Sequence, residues 1–223
     1  MSQGLRLALA ALGLVGLVLG TVLALSQSVR DALRTEVQNV LLQRRLAVRA
    51  GAPDVTAAQR VRTLDPRALT DAQQRIVQWL ANTYRVAPEP VAALVAEAWQ
   101  VAPPAGLEPT LVLAVMAVES NLHPLVQSGV GALGLMQIMP RIHAEKLAPH
   151  GGTHAAFEPV TNLQVGVQVL QESIALMRGD QAQGLRFYLG GSRMLESSLG
   201  DAYVSKVMRI KGQLDAQAKA GPR

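Results

Sequence analysis

From Pro109 to Pro140 the chain carries, apart from His123, a single acidic or basic side chain: Glu119, at the end of the run Leu111-Val112-Leu113-Ala114-Val115-Met116-Ala117-Val118. Consecutive apolar residues behind a proline at the first-turn position, Pro109, read as a helix that is apolar nearly all round. A helix of that kind has no face to offer water, so it must be the buried centre of its domain. Glu119 has no cation near it in sequence and apolar neighbours on one side, which lets a carboxyl keep its proton to higher pH than a solvated one. Such a group is suited to general acid catalysis.

The flanking segments read as amphipathic helices. Thr70 and Gln73 have capping-box spacing and open a helix whose apolar face is Ile76, Trp79, Leu80 and Tyr84. Val91, Leu94, Val95, Ala98 and Trp99 keep the spacing of a second, bounded by Pro88 and Pro90 before it and Pro103 and Pro104 after it. The string Gly131-Ala132-Leu133-Gly134-Leu135-Met136-Gln137-Ile138-Met139-Pro140 reads as a loop-and-helix segment. Beyond it the sequence predicts a short helix around Arg141 to Leu147 and a loop through Gly152. A long helix follows near Pro159 to Met177, with Val165, Val169, Leu170 and Ile174 on its core side. Shorter ones are expected over Gln181 to Tyr188 and from Leu199 to about Leu214. No segment sustains period-two alternation, so the expected fold class is all-α.

The amino-terminal part has a different character. Leu7 to Leu25 contains no charge, and Thr21 is its only strongly polar residue. At about 1.5 Å per residue this run spans roughly 28 Å, close to the hydrocarbon thickness of a bilayer. A transmembrane anchor is the direct reading; a cleaved signal peptide is the alternative, because Ala24-Leu25-Ser26 has a small-x-small pattern and Arg6 supplies a positive flank. Residues 1–27 are therefore assigned to a membrane anchor or signal segment and residues 28–70 to a helical spacer from Ser28 to about Ala50 followed by a linker. Residues 71–217 form the folded domain and 218–223 a tail.

Composition excludes several classes. The chain has no cysteine, so neither disulfides nor thiolate metal sites are available. Its net charge of +5 is spread along the chain, and aromatic residues make up 3%, too few to stack on bases, so nucleic acid is not expected as a partner. A mildly basic chain suits anionic lipid or an anionic wall polymer. His143, His150 and His154 have no standard ligand spacing; neither a metal nor a cofactor is expected.

Taken together, Glu119-Ser120, Ser128, Gly131 to Pro140, Asn162 with Gly166, Tyr188-Leu189-Gly190-Gly191, and Tyr203-Val204 with Val207 resemble the soluble lytic transglycosylase family, over about Ala105 to Lys211. The resemblance implies a goose-lysozyme-like helical domain that cleaves the β-1,4 bond between N-acetylmuramic acid and N-acetylglucosamine in peptidoglycan, leaving 1,6-anhydromuramic ends. It implies Glu119 as the catalytic acid and then base. It further implies Ser128 and Gln137 as hydrogen-bonding substrate contacts, Met136 and Met139 as groove-lining side chains, Tyr188 facing the carboxylate, and Tyr203 near the site. A two-carboxylate glycosidase would need a partner for Glu119, and none occurs between Glu119 and Arg141. One departure stands out: the family usually has asparagine where this chain has Leu189, and leucine cannot orient a neighbour by hydrogen bonding. Peptidoglycan strands are the implied partner, with the domain in the periplasm, inner-membrane anchored or released after signal cleavage. A goose-type hydrolase, a non-catalytic wall-binding protein and an accessory of an envelope-spanning machine are the alternatives.

Overall fold

A computed structural model describes residues 64–220. The expected anchor or signal segment, the spacer helix and most of the linker lie outside the described residues. Among the described residues no helix is long and apolar enough to cross a membrane.

The described residues are helical, with no strand among them and two isolated bridges, Gln127 to Leu133 and Leu133 to Ile138. The helices are α1 (Asp71–Tyr84), α2 (Pro88–Val101), α3 (Pro109–Ser120), α4 (Ala144–Leu147), α5 (Pro159–Leu176), α6 (Gln181–Gly190) and α7 (Ser198–Lys219). The apolar run becomes α3, and every residue from Thr110 to Ala117 is buried. It packs against α2 and α7, while α1 joins α2 to α7 and α6 joins α5 to α7. Leu111, Val112, Leu113, Val115 and Met116 are each almost wholly removed from water. Burial on that scale contributes about 1.5–3 kcal/mol per large side chain before ordering costs, which explains why this helix organises the rest.

Local chemistry sets the boundaries. The capping box forms as its spacing requires: the Gln73 backbone N–H donates to Thr70 Oγ1, and Thr70 N–H donates to Gln73 Oε1 at 3.0 Å. Pro109 occupies the first turn of α3, and Asn121 ends it in a left-handed conformation. From α1, Arg75 Nε donates to the Gln217 carbonyl at 2.9 Å, satisfying an end-of-helix acceptor of α7. Lys211 of α7 is buried and paired with Glu108 at 2.8 Å and Asp215 at 2.9 Å. Burial alone would lower its pKa, but the two carboxylates outweigh it and hold the ammonium charged.

Two boundaries differ from expectation. Residues 64–69, read as the end of a linker, belong to the folded body: Leu64 and Leu69 pack against the core, and Leu64 N–H donates to the Glu89 carbonyl at 3.2 Å. The helix expected within residues 131–140 is absent. Gly134 and Gln137 both have positive φ, 76° and 49°, and the Leu133 carbonyl and Met136 N–H are taken by the side chain of Asn162. Backbone groups bound elsewhere cannot enter a helical ladder, so the segment folds as successive turns.

Candidate active site

Glu119 sits in the last turn of α3 and is partly buried. Burial pushes its pKa up to about 7, against the lowering influence of a Tyr203 hydrogen bond and of the Lys206 ammonium. The Tyr203 hydroxyl donates to Glu119 Oε1 at 2.6 Å, a distance typical of strong O–H donation to a carboxylate. The groups that set the proton affinity of Glu119 include no second carboxylate. Both site tyrosines stay protonated, because burial, followed by the charge of Glu119, raises Tyr188 and Tyr203 well above the usual phenol value. Each is therefore a fixed donor.

Tyr188, on α6, senses Glu119 electrostatically but gives its hydrogen to the Met136 carbonyl at 2.7 Å. The turn segment 131–140 is thereby tied to the same corner as the carboxyl. Just before that segment, Ser128 Oγ accepts from Ala132 N–H at 2.9 Å, which closes a tight turn and leaves its own hydroxyl proton free to donate. Gln137 Nε2 donates to the Gly134 carbonyl at 3.0 Å and the Val126 carbonyl at 3.2 Å. With its amide hydrogens spent, its Oε1 is the side-chain group left to accept. Met139 is partly exposed next to Pro140.

Met136 does not line a groove. Its side chain is wholly buried, seated where Gly166 lacks a Cβ, and what it offers the site is its backbone. The apolar character of methionine suits either position, and only the tertiary packing decides. Leu189 is half-buried against the core. Orientation of Tyr188 falls to the Met136 carbonyl, and orientation of Glu119 to Tyr203, so no amide at position 189 is needed for either bond.

Two contributors were not assigned roles from sequence. Lys206 lies one turn beyond Tyr203 on α7, a spacing visible once Tyr203 is placed in a helix. Asn162 is completely buried on α5 among Leu163, Val165 and Gly166; a lone amide on an apolar face was the available signal. A polar hollow of about 440 Å³ opens elsewhere, between α2 and the start of α5, with Glu97, Gln100 and Gln164 in its wall. None of the Glu119 cluster lines it.

The described residues thus form a helical domain centred on a buried apolar helix that ends in a carboxyl whose pKa is raised to about 7. The lytic transglycosylase Slt from Pseudomonas aeruginosa, solved as an inactive glutamate-to-glutamine mutant, superposes with a TM-score of 0.51 at 20% identity, over 57% of this chain and 24% of that one. Residues 99–207 match the model of the Transglycosylase SLT domain. A transglycosylase of Enterobacteria phage PRD1 is 36% identical over 104 residues, 46% of this chain and 37% of the phage protein. The membrane-bound lytic murein transglycosylase C of Actinobacillus pleuropneumoniae serotype 5b is 30% identical over 86 residues, 36% of this chain and 22% of that protein. The chain thus spans well under half the length of these curated relatives.

Proposed function

We propose that this chain is a peptidoglycan lytic transglycosylase of goose-lysozyme type, with Glu119 acting first as acid and then as base. The observation that carries the proposal is one carboxyl with a pKa of about 7, held by Tyr203 and lacking a carboxylate partner. Protonated Glu119 gives its hydrogen to the bridging glycosidic oxygen as the bond from the muramic C1 to that oxygen breaks. The substrate's N-acetyl group stabilises the positive charge at C1. The Glu119 carboxylate then removes the proton from the 6-hydroxyl as O6 bonds to C1, which closes the anhydro ring and restores the acid. No water is consumed, and no second carboxylate is required.

Other side chains support this reading through their free capacities. Tyr203 keeps the carboxylate oriented through the step in which it is charged. Ser128 has a hydroxyl hydrogen to give to the muramic side, and Gln137 Oε1 can accept from an N-acetyl N–H. Met139 supplies an apolar wall. The amino-terminal apolar segment would anchor the protein at the inner membrane with this domain in the periplasm, where its substrate lies; the Actinobacillus relative, named as membrane-bound, supports that reading. Fractionation of membrane and soluble envelope proteins tests the anchor.

The activity is tested by digesting purified sacculi with the full chain and weighing the released muropeptides. Ends lighter than hydrolysed ends by one water are expected, and Glu119→Gln should release none while remaining folded. Hydrolysed reducing ends would instead establish a goose-type hydrolase. Pelleting with sacculi and no release would establish a wall-binding protein.

A further inference from the structure

Asn162 spends all of its side-chain hydrogen bonding on backbone outside its own helix. Its Oδ1 accepts from Met136 N–H at 2.7 Å, and its Nδ2 donates to the Leu133 carbonyl at 2.9 Å and the Ala156 carbonyl at 2.7 Å. It is wholly buried, where such a group is tolerated only when fully paired. Gly134 makes the approach feasible, since a Cβ there would overlap the Asn162 amide and the Ala156 carbonyl. Met136 is consequently fixed from three directions: its N–H by Asn162, its carbonyl by the Tyr188 hydroxyl, and its side chain by the notch at Gly166. The next residue is Gln137, in a left-handed conformation and with its amide hydrogens engaged.

We propose that Asn162 is a positioning residue: it clamps the Met136 peptide so that Tyr188 and Gln137 are presented together to substrate bound at Glu119. This inference rests on the function proposed above for the same site. The clamp joins α5, the turn segment and α6, whereas the Tyr203–Glu119 bond joins α7 to α3. The two share no hydrogen bond, and Asn162 is not among the groups that set the proton affinity of Glu119, so loss of Asn162 should disturb substrate placement and leave that affinity in place.

The test uses the full-length chain and three measurements: thermal midpoint, kcat/KM on sacculi across pH, and affinity of the Glu119→Gln protein for a soluble N-acetylglucosamine oligomer. Asn162→Ala should lower kcat/KM roughly 10- to 100-fold, the scale of a small misplacement near reacting groups. It should also weaken oligomer binding, keep the alkaline limb of the pH profile at its wild-type position, and combine less than additively with Tyr188→Phe. Should Asn162→Ala fail to fold, the isosteric Asn162→Asp takes its place with the same outcomes. A variant with a lowered thermal midpoint but kcat/KM and oligomer affinity within about twofold of wild type would overturn the proposal, as would full additivity with Tyr188→Phe. If wild type releases nothing from sacculi while loss of Asn162 still weakens oligomer binding, the proposed activity fails and the positioning role stands. If wild type neither releases fragments nor binds the oligomer, both fail.

Discussion

Glu119 carries a cost as well as a chemistry. Its folded pKa of about 7 lies above its value of 4.5 in an unfolded chain, so between these limits the folded state binds the extra proton. Stability from this group is complete below the unfolded pKa and is lost as pH rises through about 7. Glu119→Gln, which keeps an acceptor for Tyr203, should therefore be more stable than wild type at pH 8 by an amount on the order of a few kcal/mol, with the gap closing toward pH 4. Thermal unfolding at the two pH values measures this. Under the proposed function the same sign governs turnover: an acid that must start protonated should lose kcat/KM as pH rises above about 7. Tyr203→Phe removes a bond that lowers the pKa of Glu119, so the alkaline limb should move upward and the rate below it should fall; a limb that moves downward would contradict the assigned direction. Glu119 was legible because an isolated charge beside an apolar run is a local pattern. Its bond to Tyr203 was not, since 84 residues separate the two, and spacing along a chain says nothing about which helix returns to cover another.

At the scale of elements, α3 was readable because a helix without a polar face admits only an interior position, and α1 because Thr70 and Gln73 announce its start. Thr70→Ala should lower stability to urea by about 1 kcal/mol without affecting turnover. The turn segment resisted the same approach. Its glycines and methionines fit a loop or a helix, and the choice falls to Asn162, whose bonds reach Leu133 and Met136 from 29 and 26 residues away. Gly134→Ala tests how tightly this packing is drawn. The new methyl group would enter a left-handed backbone and meet the Ala156 carbonyl, so a loss of about 2 kcal/mol or more is expected in urea unfolding. The misplacement of Met136 in sequence reasoning has the same origin: its side chain fills the space that Gly166 leaves, and periodicity on one segment cannot reveal a notch on another.

For the whole molecule, the boundaries matter. A fragment starting at residue 71 lacks Leu64 and Leu69, both packed against the core; one starting at residue 64 keeps them. The shorter fragment should be less stable by about 1–3 kcal/mol, read as a shift of the urea midpoint between the two. The path of the chain also orders events in time. Glu119 and the tyrosine that holds it are made 84 residues apart, with Tyr203 on α7, the last helix described. At about 5–20 residues per second, a ribosome needs roughly 4 to 17 seconds to pass from one to the other. Until then the nascent chain has the acid without its holder, and the longest helix of the domain has yet to dock. Under the proposed function, proton transfer that depends on this pair would begin only once Tyr203 has been made and α7 has docked, so the polypeptide would be made disarmed.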